Sequence, residues 1–454
     1  MKPWSLALAL LVLLSIAGAM TPPGAINASA DAISAGDTAW MLMASAMVLL
    51  MTPGLSFFYG GMVRPKNVIS TMLQSFIAMA IVAILWVAVG FSLAFGDSIG
   101  SEGFGLIGDP TTFAFFRNVG GAPNAAFAGT IPFALFALFQ MKFAVITPAL
   151  VTGSFAERVK FSSYLLFMIL FSLLVYAPVC HWTWHPNGFL RQWGVLDFAG
   201  GTVVHMSAGV AALAGAIALG KRKDYAKGQS HPPANIPYVL IGTGLLWFGW
   251  FGFNAGSALA ANDLAVSAFL TTNTAAAAAA LAWVFFDAVR GRRISALGAS
   301  IGAVVGLVAV TPAAGFVSVG SAMAIGTIAA IACNAIAHWR SNSALDDTLD
   351  VFPCHGVGGM VGMLATAVFA TKSVNGAGAD GLLAGNTHLF LMHLLALVVV
   401  STYVFVVSYA IFKLVDLVTP MRVTADDEEE GLDRSQHGET IFASEAALGL
   451  AGGE

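Results

Sequence analysis

The stretch Asp197-Phe198-Ala199-Gly200-Gly201-Thr202-Val203-Val204-His205 opens an apolar segment with an aspartate and carries a histidine into it. A second stretch, Asp350-Val351-Phe352-Pro353-Cys354-His355-Gly356, does the same later in the chain. Ionisable side chains at membrane depth are costly and usually face a pathway or a buried partner. Many transporters are assembled from two halves of opposite orientation, with the site between them. Two aspartate–histidine openings at equivalent places point to that plan.

Outward from these stretches the chain divides into eleven apolar segments, with cores near 38–62, 67–95, 128–154, 160–181, 200–220, 236–257, 264–287, 295–311, 313–336, 353–371 and 387–417. Hydrophobic residues make up 58% of 454 positions and charged residues only 10%, where a soluble domain carries about a quarter charged. Mean hydropathy is +0.82. The 49 glycines suit membrane helices whose backbones approach closely. The reading is an all-α membrane protein of eleven transmembrane helices, an inverted five-helix pseudo-repeat (helices 1–5 and 6–10) followed by a long eleventh. The eighth segment is short enough to be partly re-entrant. A net charge of −4 gives no basis for a nucleic-acid partner. Cys180, Cys333 and Cys354 are too widely spaced for a zinc or disulfide framework.

The ends are read separately. Lys2 precedes the apolar run 6–17, and small residues follow at Ala17-Gly18-Ala19 and Ala28-Ser29-Ala30, the layout of a secretory signal peptide over 1–30 with cleavage after about 19 or 30. The alternative is an uncleaved first span, for which the run is short. Basic residues alternate by loop. Arg64, Lys66, Arg158, the 221–227 cluster, the 290–293 cluster, Arg340 and Arg422 fall on one side, against Arg117, Arg191 and Lys372 on the other. The basic side is cytoplasmic, so the mature N-terminus is expected outside and the C-terminus inside. After the transmembrane domain (31–418), the acidic stretch 419–454 is expected as a cytoplasmic tail, at best partly ordered.

Asp197, His205, His355 and Lys142 are the intramembrane ionisable residues to explain; Asp350 and Glu157 sit near helix ends, where an interface accounts for them. A neutral imidazole offers one donor and one acceptor. Two facing imidazoles in an apolar pore could pass a small hydrogen-bonding molecule or relay a proton. They could equally be packing histidines, or a bis-histidine haem or metal site, although no Cys-x-x-Cys-His is present.

Together the motifs resemble the Amt/Mep/Rh ammonium transporter family, on its bacterial Amt side. Asp197–His205 is similar to the fifth-helix signature, Trp247-Phe-Gly-Trp250-Phe-Gly-Phe253-Asn-Ala-Gly-Ser257 to the sixth, and Asp350–Gly359 to the tenth. Phe139-Gln140-Met-Lys-Phe143 and Ala156-Glu157-Arg158 resemble the third helix and its loop, and Glu430–Glu439 the tail. The resemblance implies an inner-membrane homotrimer with one pore per subunit that takes up ammonium from the periplasm. It implies Trp184, Phe143 and Ser257 as the recruitment site with Asp197 stabilising it, and Phe139 or Phe143 with Phe253 as the gate. His205 and His355 then line the pore. Ammonium would lose its proton near the gate and ammonia would pass, with the proton either returned outside or relayed through the imidazoles. The relayed, electrogenic version is the one the resemblance to Amt members favours. No cofactor or metal is called for. A PII-type signal protein is implied at the cytoplasmic face, with the tail taking part. Lys142 departs from the family pattern beside Phe143, and His185-Pro186-Asn187 from the usual glycine run. Lys142 either snorkels away from the pore or sets a fixed cation beside the recruitment site. The second case keeps open an alternative, an ammonium sensor or transceptor with little transport.

Overall fold

The structure, a computed structural model, describes residues 3–24, 33–228 and 232–441. Its transmembrane helices are α1 (Ala35–Met62), α2 (Pro65–Phe95), α3 (Phe133–Phe155), α4 (Phe161–Trp184), α5 (Gly201–Leu219), α6 (Ile236–Ala258), α7 (Asp263–Val289), α9 (Val319–Ser341), α10 (Phe352–Phe369) and α11 (Thr387–Val418), with α8 (Ala296–Val310) between α7 and α9. Among the described residues ten helices are long and apolar enough to cross a membrane. The expected eighth segment, α8, has 15 residues, about 22 Å at 1.5 Å per residue, less than a bilayer core. This is a multi-pass helical membrane protein.

The helices meet as an inverted repeat would have them. The first helices of the two halves, α1 and α6, pack along each other, and the last, α5 and α10, cross at the middle. The crossing depends on glycine. A Cβ built on Gly209 would lie 2.0 Å from the Gly356 backbone nitrogen, so any side chain there would push the helices apart. The turns of α5 and α10 that carry the histidines, Gly201–Met206 and Phe352–Val357, are wound as π-helix. Such wide turns occur mostly as single turns at functional sites.

Three features depart from a plain helical bundle. The loop after α2 folds into an antiparallel hairpin, β1 (Ser98–Ser101) with β2 (Phe104–Gly108). The N-terminal segment forms a helix of its own, Pro3–Met20, longer than its apolar run and with most of its leucines exposed. The expected cleavage point near 30, like tail residues 442–454, lies outside the described residues.

The tail from 419 is the third. It forms two short helices, α12 (Ala425–Glu430) and α13 (Leu432–His437), laid against the start of α2. Asp433 accepts from the backbone N–H groups of Ile69 (3.0 Å) and Ser70 (2.8 Å), in the first turn of α2. Leu432 N–H donates to Asn67 Oδ1 at 2.8 Å. The acidic run that reads as unstructured is thus partly consumed. Glu428 accepts from Lys223 N–H (2.7 Å) and from Arg422 (2.6 Å).

Candidate functional site

A cavity of about 630 Å³, called outer after the orientation expected from the basic loops, opens where α3, α4, α5 and α6 end, with Trp184, Asp197, Ser257 and Phe127 in its wall. Asp197 organises this wall through the start of α5. Its Oδ1 accepts from the N–H groups of Gly200 (2.8 Å) and Gly201 (2.6 Å), and its Oδ2 from the N–H (2.7 Å) and hydroxyl (2.5 Å) of Thr202. A carboxylate at a helix N-terminus satisfies donors that the helix leaves unpaired. The Asp197 carbonyl in turn accepts the Trp184 indole N–H at 3.0 Å, fixing the indole at the cavity floor. The Ser257 hydroxyl donates to Phe253 O at 2.9 Å, which leaves its lone pairs for a donor arriving from outside.

Below this floor the way is closed by rings. Phe143 and Phe253 have centroids 4.2 Å apart at 36°, and Trp184 meets Phe143 edge-on at 5.7 Å. Phe139 lies behind, edge-on to Phe143 at 4.9 Å and fully buried. The ring in contact with Phe253 is therefore that of Phe143, with Phe139 packed behind it.

Beneath the rings runs a lumen of about 10 Å³, room for about one water-sized molecule. Apart from the Trp250 indole nitrogen, His205 and His355 are the polar side chains in its wall; the rest is apolar. The two imidazoles meet Nδ1 to Nδ1 at 3.3 Å. His205 is stacked on Trp250, with centroids 5.3 Å apart at 23°. No group of three or more metal-ligating side chains occurs among the described residues. Two nitrogens facing each other at hydrogen-bond distance leave no space for an ion between them, so the haem or metal alternative has no geometric support.

The inner mouth is a separate cavity of about 510 Å³, bordered by Arg64, Glu157, Arg222 and Arg340. Glu157 bridges Arg222 (2.6 Å) and Arg64 (3.1 Å), Arg222 pairs with Asp346 at 2.8 Å, and Arg340 with Asp350 at 2.7 Å. Asp350 is thus an ion-pair partner. The carboxylate that caps α10 as Asp197 caps α5 is Asp347, which accepts from Val351 N–H (3.1 Å) and Phe352 N–H (2.7 Å). The pairing of Asp350 with Asp197 read from sequence is corrected accordingly. The signal was present, since Asp197 and Asp347 each stand eight residues before their histidines.

Lys142 borders neither the outer cavity nor the lumen. With Ala134 and Leu138, four residues apart along one stripe, it makes up the part of α3 that is not buried. Its ammonium comes 4.0 Å from Met141 Sδ. One residue along a helix is about 100° around it, so Phe143 faces the rings while Lys142 looks outward.

Known proteins show the same plan. A sequence profile described as the Ammonium Transporter Family matches residues 39–442. The chain belongs to the Ammonium Transporter Family. An ammonium transporter of Bacillus subtilis is 47% identical over 408 residues, covering 90% of this chain and 98% of that one. Among solved structures of this family, Mep2 of Saccharomyces cerevisiae superposes with a TM-score of 0.81 at 34% identity, over 87% of this chain and 89% of that one. A structure titled Sensor Amt Protein superposes at 0.79 with 31% identity, over 88% and 98%. The family match spans every element that builds the outer cavity, the ring pair and the lumen.

Proposed function

We propose that this protein takes ammonium from the outer face, deprotonates it near the Phe143–Phe253 gate, conducts ammonia past His205 and His355, and relays the proton through the imidazoles with net charge movement. The observation that carries this reading is the order of the three features along one path: a cation-attracting cavity, a closed ring pair, then a narrow apolar lumen whose polar groups are two touching imidazoles.

Each step follows from its surroundings. The faces of Trp184 and Phe143 attract a cation through their ring quadrupoles, worth roughly 0.5–2 kcal/mol as water is removed. The Ser257 oxygen accepts a hydrogen bond that ammonium can donate and potassium cannot. The Asp197 carboxylate, already saturated by α5, acts as a fixed charge behind the site. An isolated ammonium ion entering the lumen would pay a large desolvation cost, while neutral ammonia pays little. The proton is therefore released near the rings, and an ion with no proton to lose is turned back.

The sequence relatives are named as ammonium transporters. The reading further includes a homotrimer in the bacterial inner membrane, embedded in lipid, which the motif resemblance implies, and a removed signal peptide, which the Lys2, apolar run and small-residue layout at the N-terminus supports. The basic loops and the Arg-rich inner mouth support a cytoplasmic C-terminus, a periplasmic mature N-terminus and a PII-type partner at the inner cavity. The sensor alternative rested on Lys142 beside the recruitment site, and the outward stripe on α3 removes that support.

The test is ammonium-evoked current from proteoliposomes on a solid-supported membrane. Current with ammonium and none with potassium is the expected result. Absence of current at any ammonium concentration, with protein correctly inserted, would return the chain to the sensor class.

A further inference from the structure

Behind the lumen wall, in contact with two of its polar residues, lies one hydroxyl that neither the gate nor the histidine pair accounts for. Thr311 directly follows α8, fully buried, and three groups converge on its Oγ1: Leu307 O at 2.7 Å, Trp250 Nε1 at 2.9 Å and His205 Nε2 at 3.3 Å. We propose that Thr311 is a positioning residue that fixes the tautomers of the histidine pair, with His205 protonated on Nε2 and His355 on Nδ1. This rests on the proposed role of the pair in conduction.

The assignment is a matter of counting protons. A hydroxyl has one hydrogen to donate and two lone pairs with which to accept. The Leu307 carbonyl can only accept, and at 2.7 Å it is the nearest partner, so the hydroxyl hydrogen goes there. The Trp250 indole can only donate, and it takes one lone pair. The second lone pair faces His205 Nε2, which must therefore bring its own hydrogen. A neutral imidazole with its proton on Nε2 has a bare Nδ1. Across the 3.3 Å separation that bare nitrogen needs a donor, so His355 carries its proton on Nδ1.

The chain of donors then runs one way, from His355 to His205 to Thr311, and stops at a backbone carbonyl. Three of the four ring nitrogens are committed, and His355 Nε2 is left as the open acceptor. Ammonia, with three N–H donors, meets the pair there. Without the hydroxyl, His205 Nε2 has no partner to specify it, and the two tautomers of each ring become interchangeable.

The experiment is solid-state ¹⁵N NMR of histidine-labelled protein in lipid bilayers, with the His355 signal identified by its disappearance in His355→Gln. Wild type and Thr311→Ser are expected to show His355 protonated on Nδ1, the minor form of imidazole in water. In Thr311→Val that population is expected to fall by at least about half, and ammonium current by roughly five- to tenfold, the loss of one net hydrogen bond, with Thr311→Ser within about twofold of wild type. A wild-type His355 protonated on Nε2, or an unchanged spectrum in Thr311→Val, overturns the proposal. If Thr311→Val does not fold, the wild-type and His355→Gln spectra still decide it. The expected spectra without ammonium current in wild type would uphold the tautomers and overturn the transport reading.

Discussion

The starts of α5 and α10 are the same device in opposite surroundings. Each has an aspartate eight residues before a histidine, with its carboxylate receiving the first N–H groups of a π-wound turn. At the outer start, Asp197 borders an open cavity walled by aromatic rings. At the inner start, Asp347 is fully buried beside Asp346 and Asp350, with Arg158, Arg222 and Arg340 around them. The repeated part places the imidazoles. The unrepeated part sets them apart: Asp197 borders an open, aromatic-walled cavity, as the proposed recruitment of a cation requires, while Asp347 is closed in beside Asp350 with backbone N–H groups as its donors.

The largest effect should separate the two aspartates. Asp197→Ala removes four hydrogen bonds to one carboxylate, each worth roughly 1.5–3 kcal/mol when the acceptor is charged, and with them the fixed charge, while the backbone carbonyl that receives the Trp184 indole stays. Ammonium current should fall by at least about a hundredfold. Asp347→Ala, which leaves the outer cavity intact, should retain more current per correctly folded molecule. Equal losses in both, measured at matched surface density, would break the distinction between a recruiting and a structural carboxylate.

Next in size is the crossing that both halves share. Gly209→Val places a branched side chain where a single Cβ already comes within 2.0 Å of the α10 backbone. Overpacking of this kind costs about 1–3 kcal/mol and occasionally more. Thermal unfolding in detergent should show a clear drop in midpoint, because the two helices can no longer approach closely enough for the imidazoles to meet. An unchanged midpoint would mean that the crossing is not what joins the halves.

A pH dependence follows from the Asp347 cap. Burial, with Asp350 adding to it, raises the Asp347 carboxyl to about 6, against the backbone N–H groups that pull it down. The folded protein therefore holds that proton more tightly than the unfolded chain, whose aspartates titrate near 3.9. The resulting stability is complete below about pH 4 and is lost as pH rises through about 6, at roughly 1.4 kcal/mol per unit across the window. Subtracting the melting profile of Asp347→Asn from that of wild type should leave this slope, and a flat difference would remove Asp347 as its source.

The smallest effect is expected from Lys142→Ala. The side chain belongs to the outer half but looks away from its cavity, so current should stay within about twofold of wild type. A large gain would mean that its charge is felt at the recruitment site after all, and the outer half would have to be redrawn.

Much of this was legible in the sequence. The helix segments follow from hydropathy, and the motifs bring Trp184, Asp197, Phe253 and the histidines to one path through the helices. The roles given to them rest on the family resemblance and are part of the proposal. What escaped has physical causes. Asp347 is easily passed over because the eye pairs Asp350 with the histidine nearest to it, while a cap is defined by which N–H groups it meets. Phe139 and Phe143 lie four residues apart on one face of α3, and only the position of Phe253 tells which of them closes the path. The hairpin at 98–108 is short and glycine-rich, below what alternation can reveal. The partners of Thr311 at Trp250 and His205 are distant in sequence, so no spacing announces them. The docking of α12 and α13 depends on unpaired N–H groups at the start of α2, and an acidic run alone reads as solvated.

The π-wound turns carry a consequence for insertions and deletions. A turn that closes over five residues rather than four holds one residue more than the regular helix on either side of it. In a regularly wound stretch a one-residue deletion swings everything beyond it by about 100°. Deleting one residue from Gly201–Met206 or Phe352–Val357 instead lets the turn relax to regular winding, leaves the helix beyond it in register and re-aims only the residues of the turn. His205 or His355 would then leave the lumen wall while the helix stayed intact. A scan of single-residue deletions along α5 and α10 would therefore show two narrow zones where the protein still inserts and assembles but no longer conducts.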